Sequence, residues 1–369
     1  MAAQMQTLAE AARWYDAWLR DAALPLWSRF GVDPVQGFFQ EALSVEGRPH
    51  LAPRRSRVQA RQIFVFATCA RRGYGAELTA IARRGFEGLV AKYRRPDGLF
   101  INSVDVDGTP RDQGVDIYEQ AFALLAMAAL HDVDPAAGDL PVQARRVLEA
   151  LQDRRVAGGG FRESGAQPYQ ANCHMHLLES SLAWEEAGVA SWAGLSDEIV
   201  DLALGKFIDG ETGVLREFFD AEWRPLEGEG GLVEPGHHFE WAWLLERWGR
   251  ARQDKLARET ALRLYANGLR GVDAQRQVAM NALWEDFSIR DSSARLWPQT
   301  EHLKATLFFG DDGEVLRAAQ GLAKYLDVPA RGAWRDKMQA DGSFLDEPAP
   351  ATSFYHVLTA VLELQTRTS

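Results

Sequence analysis

The stretch Asp97-Gly98-Leu99-Phe100 is the clearest copy of a short motif, turn residues followed by large apolar ones, that recurs along this chain. Such a turn followed by a polar stretch is typical of a short hairpin between two helices. The copies lie roughly sixty residues apart, and a regular period of this kind predicts a repeat architecture. The other copies are Gly37-Phe38-Phe39, Gly159-Gly160-Phe161, Gly213-Val214-Leu215, Ala282-Leu283-Trp284 and Asp341-Gly342-Ser343-Phe344.

Helical periodicity fills the space between these turns. Apolar residues repeat at intervals of three and four, whereas few stretches alternate long enough to form a proper strand. The helical stretches are 78–92, 118–130, 142–151, 175–186, 196–207, 239–250, 257–267 and 354–364. Six helical hairpins that close into a ring account for the full length. We therefore predict an all-α fold, an (α/α)6 barrel (toroid) with β-hairpin-like loops at one end, as a single domain over residues 1–369.

Composition excludes several kinds of partner. The 369 residues carry a net charge of −11, the opposite of what a nucleic-acid-binding surface needs. No apolar run is long enough to cross a membrane or to act as a signal peptide, so we expect a cytoplasmic protein with no membrane partner. Two cysteines cannot build a disulfide framework. A monomer or a homodimer is expected.

Aromatic residues are abundant, with twelve tryptophans and eighteen phenylalanines. Side chains of this kind pack a large core or line a pocket. Polar residues also recur where each inner helix begins, and in a closed ring these positions converge on one mouth. The sequence therefore predicts a single polar pocket walled by aromatics. Its expected members are Arg57, Asp116, Tyr118, Asn172, His176, His237, Glu240, Trp297, Glu301 and His356.

Two histidines of this set have a glutamate three residues later on the same helical face. The pairs are His176 with Glu179 and His237 with Glu240. A carboxylate beside an imidazole sets its tautomer and raises its basicity, which suits a general base. We interpret His50, His131 and His302 as satisfied or surface residues outside the site.

Two arginines one helical turn apart, Arg57 and Arg61, precede the buried run Ile63-Phe64-Val65-Phe66. At least one guanidinium should point into the ring, and Arg57 is favoured.

No His-Glu-x-x-His run occurs, and an arginine beside the histidines suits an organic ligand better than a divalent cation. We therefore expect no metal. No glycine-rich phosphate loop follows a strand, and no cofactor is expected.

Several motifs, in order, resemble the N-acylglucosamine 2-epimerase superfamily. They are Asp116-x-Tyr118-x-Gln120-Ala121-Phe122, Asn172-x-His174-Met175-His176-x-x-Glu179, Pro235-Gly236-His237-x-x-Glu240-Trp241-x-Trp243-Leu244-Leu245 and Tyr355-His356. The resemblance spans residues from about 37 to 360. It implies an (α/α)6 barrel and chemistry at C1 and C2 of an aldose without a redox cofactor or a metal. By the same resemblance, Arg57, His176, His237 with its partner Glu240, and His356 are the site residues.

The chain departs from the family at one point. Several members place an arginine shortly before the histidine that matches His237, whereas residues 227–234 here contain none. Arg224 is the nearest candidate. An anionic sulfonate or an N-acetyl sugar bound through such an arginine is therefore not expected, and the glycine-rich stretch is interpreted as a mobile lid.

The predicted chemistry is acid–base catalysis through an enediol. His356 and His237 would move the protons, and Arg57, His176 and Tyr118 would stabilise the charge on the sugar oxygens. The predicted function is an aldose–ketose isomerase of the mannose-to-fructose type, because residues 235–241 and 297–301 look most like the mannose-isomerase branch. The alternatives are a 2-epimerase of a hexose, an N-acyl-hexosamine or a disaccharide reducing end, and a mannose-6-phosphate isomerase. A glycoside hydrolase or a non-catalytic sugar-binding protein is less favoured.

Overall fold

The fold is that of a computed structural model, which describes residues 5–226 and 231–368. Residues 227–230 lie outside the described part, and they are half of the stretch 227–234 that was interpreted as a mobile lid. Helices dominate the described chain. They are α1 (Leu8–Trp18), α2 (Leu24–Phe30), α3 (Ser56–Arg71), α4 (Glu77–Tyr93), α5 (Ile117–His131), α6 (Leu140–Ala150), α7 (Ala171–Glu186), α8 (Ala193–Leu202), α9 (Pro235–Arg252), α10 (Lys255–Leu269), α11 (Leu296–Phe309), α12 (Asp312–Ala323) and α13 (Thr352–Thr368).

Six of these helices form a closed inner ring. Each of α3, α5, α7, α9 and α11 packs against the next member of the set, and α13 packs back against α3. The outer layer is made by α4, α6, α8, α10 and α12, each against its inner neighbour, while α1 covers α13. Because the first helix covers the last, the two ends of the chain close the ring together. The predicted (α/α)6 barrel is confirmed.

The β structure is confined to short hairpins at one end of the ring. Every described strand lies in a segment that runs from an outer helix to the following inner helix, and each has two or three residues. They are β1 (Ala42–Leu43), β2 (Pro49–His50), β3 (Arg54–Arg55), β4 (Ser103–Val104), β5 (Pro110–Asp112), β6 (Tyr169–Gln170), β7 (Phe218–Phe219), β8 (Leu232–Val233), β9 (Val272–Asp273), β10 (Val278–Ala279), β11 (Ala282–Trp284), β12 (Ile289–Asp291), β13 (Ala294–Arg295), β14 (Lys337–Met338) and β15 (Ala349–Pro350).

These strands pair antiparallel in six small sheets, five of which join neighbouring repeats. Their orders are β15-β1-β2, β3-β4-β5, β6-β7, β10-β9, β12-β11-β8 and β13-β14. The pairing of β15 with β1 joins the last repeat to the first, at the same seam that α1 covers. The hairpins thus form a rim around the amino-terminal ends of the inner helices, in which described strands pair between all neighbouring repeats except the second and third.

A buried polar side chain ties the start of most inner helices to the preceding turn. The fourth residue of α3 is Gln59, whose amide accepts from the backbone N–H of Phe39 and donates to the Phe39 carbonyl. Gln120 and Gln299 do the same to Phe100 and Ala279. In α7 and α9 the same position is His174 or His238, whose Nε2 accepts from the N–H of Phe161 or Leu215. These bonds satisfy backbone groups that burial would otherwise leave unpaired.

A backbone hydrogen bond that recurs in every repeat shows that two of the predicted turns were wrong. In each repeat, the residue after the turn donates its backbone N–H to a carbonyl at or just beyond the end of the preceding outer helix. In the fifth and sixth repeats, the residues that donate this bond are Met280 and Arg335. The repeat positions are therefore Ala279 and Trp334. Ala282-Leu283-Trp284 is instead strand β11, and Asp341-Gly342-Ser343-Phe344 is a tight turn further along the sixth hairpin. The prediction was wrong there because the true turns use other residues, with Gln277 at φ 58° and Gly332 at φ 103°.

The seam between the chain ends is packed by tryptophans. The rings of Trp27, on α2, and Trp334 stack with centroids 4.7 Å apart, and Trp27 Nε1 donates to the Gly332 carbonyl at 3.1 Å. Both indoles are fully buried. Aromatic pairs of this kind add to the free energy of burial. Within the described residues, no helix is both long and apolar enough to cross a membrane.

Candidate active site

A cavity of about 460 Å³ opens at the end of the ring that carries the hairpins, where the inner helices begin. Its size suits a small organic ligand. Seven residues of the predicted pocket line it, whereas Arg57, Asp116 and Glu301 do not. The lining residues are Arg55, Arg61, Tyr118, Asn172, His176, Glu234, His237, Glu240, Arg295, Trp297, Asp336, Lys337, Pro350, Thr352, Ser353 and His356.

Of the two candidate arginines, Arg61 lies at the cavity wall and the favoured Arg57 does not. Arg61 Nη2 donates to the Tyr118 hydroxyl at 2.8 Å, and its guanidinium lies 4.0 Å from the centroid of the Phe122 ring. Arg57 instead pairs with the buried Glu119. The two arginines lie one turn apart, so the sequence pattern alone could not tell which one the neighbouring carboxylate would capture. Arg57 is thus held behind the wall.

Asp116 and Asn172 differ in how they meet the cavity. Asp116 is the N-cap residue of α5, and its carbonyl accepts from the backbone and side chain of Gln120, so it acts here as part of the helix start. Asn172, near the start of α7, lines the cavity, and its buried Oδ1 has no hydrogen-bond partner among the described residues. Asn172 therefore offers an acceptor to a ligand hydroxyl.

The expected partner of His237 was wrong. His237 Nδ1 lies 2.9 Å from Glu217 Oε1 and 2.9 Å from Glu234 Oε2, rather than beside Glu240. Glu234 lies three residues before His237 and Glu240 three residues after it, and both spacings place a side chain on the same helical face. The preceding hairpin brings Glu217 to the amino-terminal end of α9, on the side of Glu234. Glu240 lies one turn deeper, where its Oε1 is 3.9 Å from His176 Nδ1.

These two carboxylates determine the charge of His237. Burial by itself disfavours the imidazolium, but Glu217 and Glu234 outweigh it and hold the pKa of His237 well above its usual value. His237 is therefore a protonated group at neutral pH. Its ring lies against Trp297, with centroids 5.1 Å apart.

His356, in contrast, is neutral. Burial, with the nearby cations Arg61 and Lys304, lowers the pKa of His356 well below its usual value. Its Nδ1 lies 2.8 Å from Glu301 Oε1, so a neutral ring that donates from Nδ1 keeps Nε2 free to accept a proton. His356 also lies against Trp297, with centroids 5.9 Å apart. One indole thus contacts both histidines.

Glu301 and Lys304 form a buried ion pair behind the cavity. The Lys304 ammonium lies 2.6 Å from Glu301 Oε2 and 3.8 Å from the centroid of the Trp243 ring, and both charged side chains are fully buried. Glu301 was predicted to belong to the polar pocket. It instead positions His356. Lys304 was missed, although its place three residues after Glu301 is a helical ion-pair spacing that could have revealed it.

The third cavity histidine is held as predicted. His176 Nδ1 lies 3.2 Å from Glu179 Oε2, and the Tyr355 hydroxyl donates to the other oxygen of the same carboxylate. Burial lowers the pKa of His176 to about 4, so it is neutral. Burial and the neighbouring Glu301 raise the pKa of Glu240 well above its usual value, so Glu240 is a protonated acid at the base of the cavity.

Several of these groups could also hold a cation. Among the described residues, three sets have ligand atoms within 4.8 Å of one another: His176 with Glu179 and Glu240, His237 with Glu217 and Glu234, and His356 with Glu240 and Glu301. In each set the histidine Nδ1 already faces a carboxylate oxygen. Glu240 Oε1, which belongs to two of the sets, has no hydrogen-bond partner among the described residues. Metal-free chemistry stays a prediction.

The remaining candidates lie away from the cavity. Arg224 is exposed and pairs with Asp220 and Glu222, so it does not replace the family's arginine. His302 is buried against Phe239, with ring centroids 4.8 Å apart. His50 lies on strand β2 and His131 at the end of α5, and neither lines the cavity.

Comparison with known proteins places the chain in a family. The sequence model of N-acylglucosamine 2-epimerase (GlcNAc 2-epimerase) matches residues 37–360. A protein of Rhizobium meliloti (strain 1021) named mannose-6-phosphate isomerase is 45% identical over 367 residues, which cover 94% of this chain and 95% of that one.

Solved structures share the fold. Cellobiose 2-epimerase from Bacillus thermoamylovorans B4167 superposes with a TM-score of 0.85 at 16% identity, over 96% of this chain and 99% of that chain. A D-mannose isomerase gives a TM-score of 0.85 at 18% identity, over 96% and 97% of the two chains. The chain is therefore an enzyme of sugar isomerisation or epimerisation, and it belongs to the N-acylglucosamine 2-epimerase family.

Proposed function

We propose that this enzyme interconverts an aldose and a ketose at C1 and C2, as between mannose and fructose, by acid–base catalysis through an enediol. The observation that carries the proposal is a pair of histidines in different charge states, cationic His237 and neutral His356, which both contact Trp297 in one cavity. A reaction that removes one proton and delivers another needs such a pair.

The proton transfers follow from those charges. His356 Nε2 takes the proton from C2 of the open-chain aldose, while the His237 imidazolium gives a proton to the carbonyl oxygen at C1. The product of this step is an enediol. The protonated His356 then delivers its proton to C1, and neutral His237 takes back the hydroxyl proton from the oxygen on C2. The C2 carbonyl forms and both histidines return to their starting states.

Other wall residues would hold the sugar oxygens. Arg61 is a fixed cation beside the Tyr118 hydroxyl and would stabilise negative charge on the enediol. The sequence assigned this task to Arg57, which we now propose only as a support for Glu119 and α3. Asn172 offers an acceptor, and His176 a neutral ring. The Trp297 indole would pack against the apolar face of the sugar.

Two points support an isomerase. An isomerase needs one base, which returns the proton to C1, whereas an epimerase needs a second base on the opposite face of C2. His237 is protonated and cannot serve as that second base. The Rhizobium meliloti relative also carries the name of an aldose–ketose isomerase. A 2-epimerase is the second candidate, because neutral His176 lines the same cavity and could take that place.

The test is turnover of D-mannose in D2O followed by NMR. Fructose that carries deuterium at C1 supports the isomerase, glucose with deuterium at C2 supports the epimerase, and no exchange with any aldohexose or its 6-phosphate would exclude both. In His356→Asn we expect kcat to fall by about 10² to 10⁴, the usual contribution of a general base. His50→Asn, an exposed histidine on β2, is the matched control and should keep full activity.

A further inference from the structure

Two cations face each other across the hairpin rim of the cavity. Arg295 on β13 and Lys337 on β14 are direct partners in an antiparallel pair, so their side chains emerge on the same face. Like charges placed opposite one another destabilise a strand pair. Both side chains line the cavity. An unfavourable pair at the mouth of a ligand site suggests that the ligand supplies the missing negative charge.

The cations of this wall differ in their direct partners. No ion pair of Arg295 with a described residue occurs, and its guanidinium lies 5.8 Å from the centroid of the Trp297 ring. Lys337 has an ion pair with Glu347 at 3.0 Å. A third cation of the wall, Arg55, is held by Glu41. Arg295 is thus the cation best placed to bind a ligand.

The charge of Arg295 reaches the two carboxylates of the same wall, Glu234 and Asp336, and opposes the rise in pKa that burial causes in each. Their direct contacts, however, are with other groups. Glu234 contacts His237, at 2.9 Å, and Asp336 accepts a hydrogen bond from the Ser353 hydroxyl at 3.3 Å. The protein as a whole has a net charge of −11, so a cationic rim is a local feature and not a general property of its surface.

We infer that Arg295 and Lys337 bind a phosphomonoester at the end of the sugar remote from C1, so that the substrate is an aldose phosphate. This inference rests on the proposed function and specifies its substrate class. Trp297 contacts both histidines and also Arg295. A sugar packed on that indole would therefore have its reacting carbons at the histidines and its far end at the rim. A guanidinium and an ammonium together suit the two charges of a phosphate monoester.

The first experiment compares kcat/KM for D-mannose 6-phosphate and D-mannose. We expect the phosphate to be preferred by about 100-fold, and the preference to fall by about tenfold or more in Arg295→Gln and in Lys337→Gln, since each charge-assisted hydrogen bond is worth about that factor. Arg295→Lys should restore part of it. The control is Lys255→Gln, an exposed cation on α10 that pairs with Glu259, and it should leave the preference unchanged.

The outcomes separate this inference from the proposed function. Equal turnover of both sugars would overturn the phosphate site and leave the isomerase intact, while turnover of neither would contradict the isomerase. In that case calorimetry with inorganic phosphate still tests the site: binding by the wild type that is lost in Arg295→Gln supports it, and no binding by the wild type overturns it. Preference for the 6-sulfonate analogue of mannose over the phosphate would show that the rim serves a different anion.

Discussion

At the scale of the residue, identical side chains acquire different chemistry from their neighbours. His237 and His356 both lie in one cavity, yet two carboxylates keep the first protonated, whereas burial beside two cations keeps the second neutral. His174 and His238 occupy equivalent positions in their helices and serve only to hold a turn. The role of each histidine is therefore defined by what surrounds it.

Removal of one carboxylate should move the pH profile. The pKa of His237 is raised by Glu217, and the enzyme needs His237 protonated, so activity is lost as the pH rises through that pKa. Glu217→Gln removes a negative charge and lowers the pKa. We expect the alkaline limb of the kcat/KM profile to move toward acid by about one to three pH units, the usual effect of one close opposite charge.

The profile is measured on wild type, Glu217→Gln and a control. The control is Glu285→Gln. Glu285 is half-exposed, pairs with Arg216 and does not line the cavity. It should leave both limbs in place. An alkaline limb that does not move in Glu217→Gln would mean that His237 is not the acid.

At the scale of the element, the inner helices begin where a buried side chain fastens the preceding turn. Gln120 accepts from Phe100 N–H at 2.9 Å and donates to the Phe100 carbonyl at 2.8 Å, all within the core. Gln120→Ala leaves both backbone groups buried and unpaired. We expect the free energy of unfolding to fall by about 2–4 kcal/mol, because each unpaired buried group costs about 1–3 kcal/mol.

The measurement is denaturant unfolding of the two proteins under the same conditions. Gln275→Ala, an exposed glutamine in the fifth hairpin, is the control and should change stability by less than about 0.5 kcal/mol. A change of similar size in both variants would show that the bonds of Gln120 contribute little.

At the scale of the whole molecule, the ring is closed by residues from both ends of the chain. Trp27 on α2 stacks on Trp334 of the sixth repeat, and the β1–β15 pair joins the same two repeats. Trp27→Ala removes a buried indole and its hydrogen bond, so we expect a loss of about 3–5 kcal/mol. We predict that the ring unfolds as one unit, so far-UV circular dichroism and tryptophan fluorescence should shift together.

The control for this variant is another tryptophan. Trp284 on β11 is 43% exposed, and Trp284→Ala should have a small effect. If Trp27→Ala instead produced two separate transitions, with the remaining repeats as stable as before, the ring would not be one cooperative unit, and the prediction of a single domain would fail.

Local patterns account for what the sequence could predict. The helical stretches, the first four turns and the polar residues that begin α5, α7, α9 and α11 follow from spacing within a single repeat, since periodicity and turn chemistry act over a few residues. Ring closure followed from the count of the repeats, because six helical hairpins of similar length account for the whole chain and a closed ring buries the inner face of each. The turn at Ala279 escaped because Gln277 takes the role that glycine has elsewhere. The turn at Trp334 does contain a glycine, Gly332, but the later stretch Asp341-Gly342-Ser343-Phe344 matched the motif better.

By itself, the sequence therefore determined the barrel, the end where the site lies and seven residues of its wall. Only the tertiary structure decided which arginine reaches the cavity, which carboxylates hold His237 and His356, and that Lys304 supports them. Those partners come from other hairpins and helices, twenty residues away for Glu217 and fifty-five for Glu301. The charge of each histidine depends in addition on burial, which arises only when the six repeats close around it.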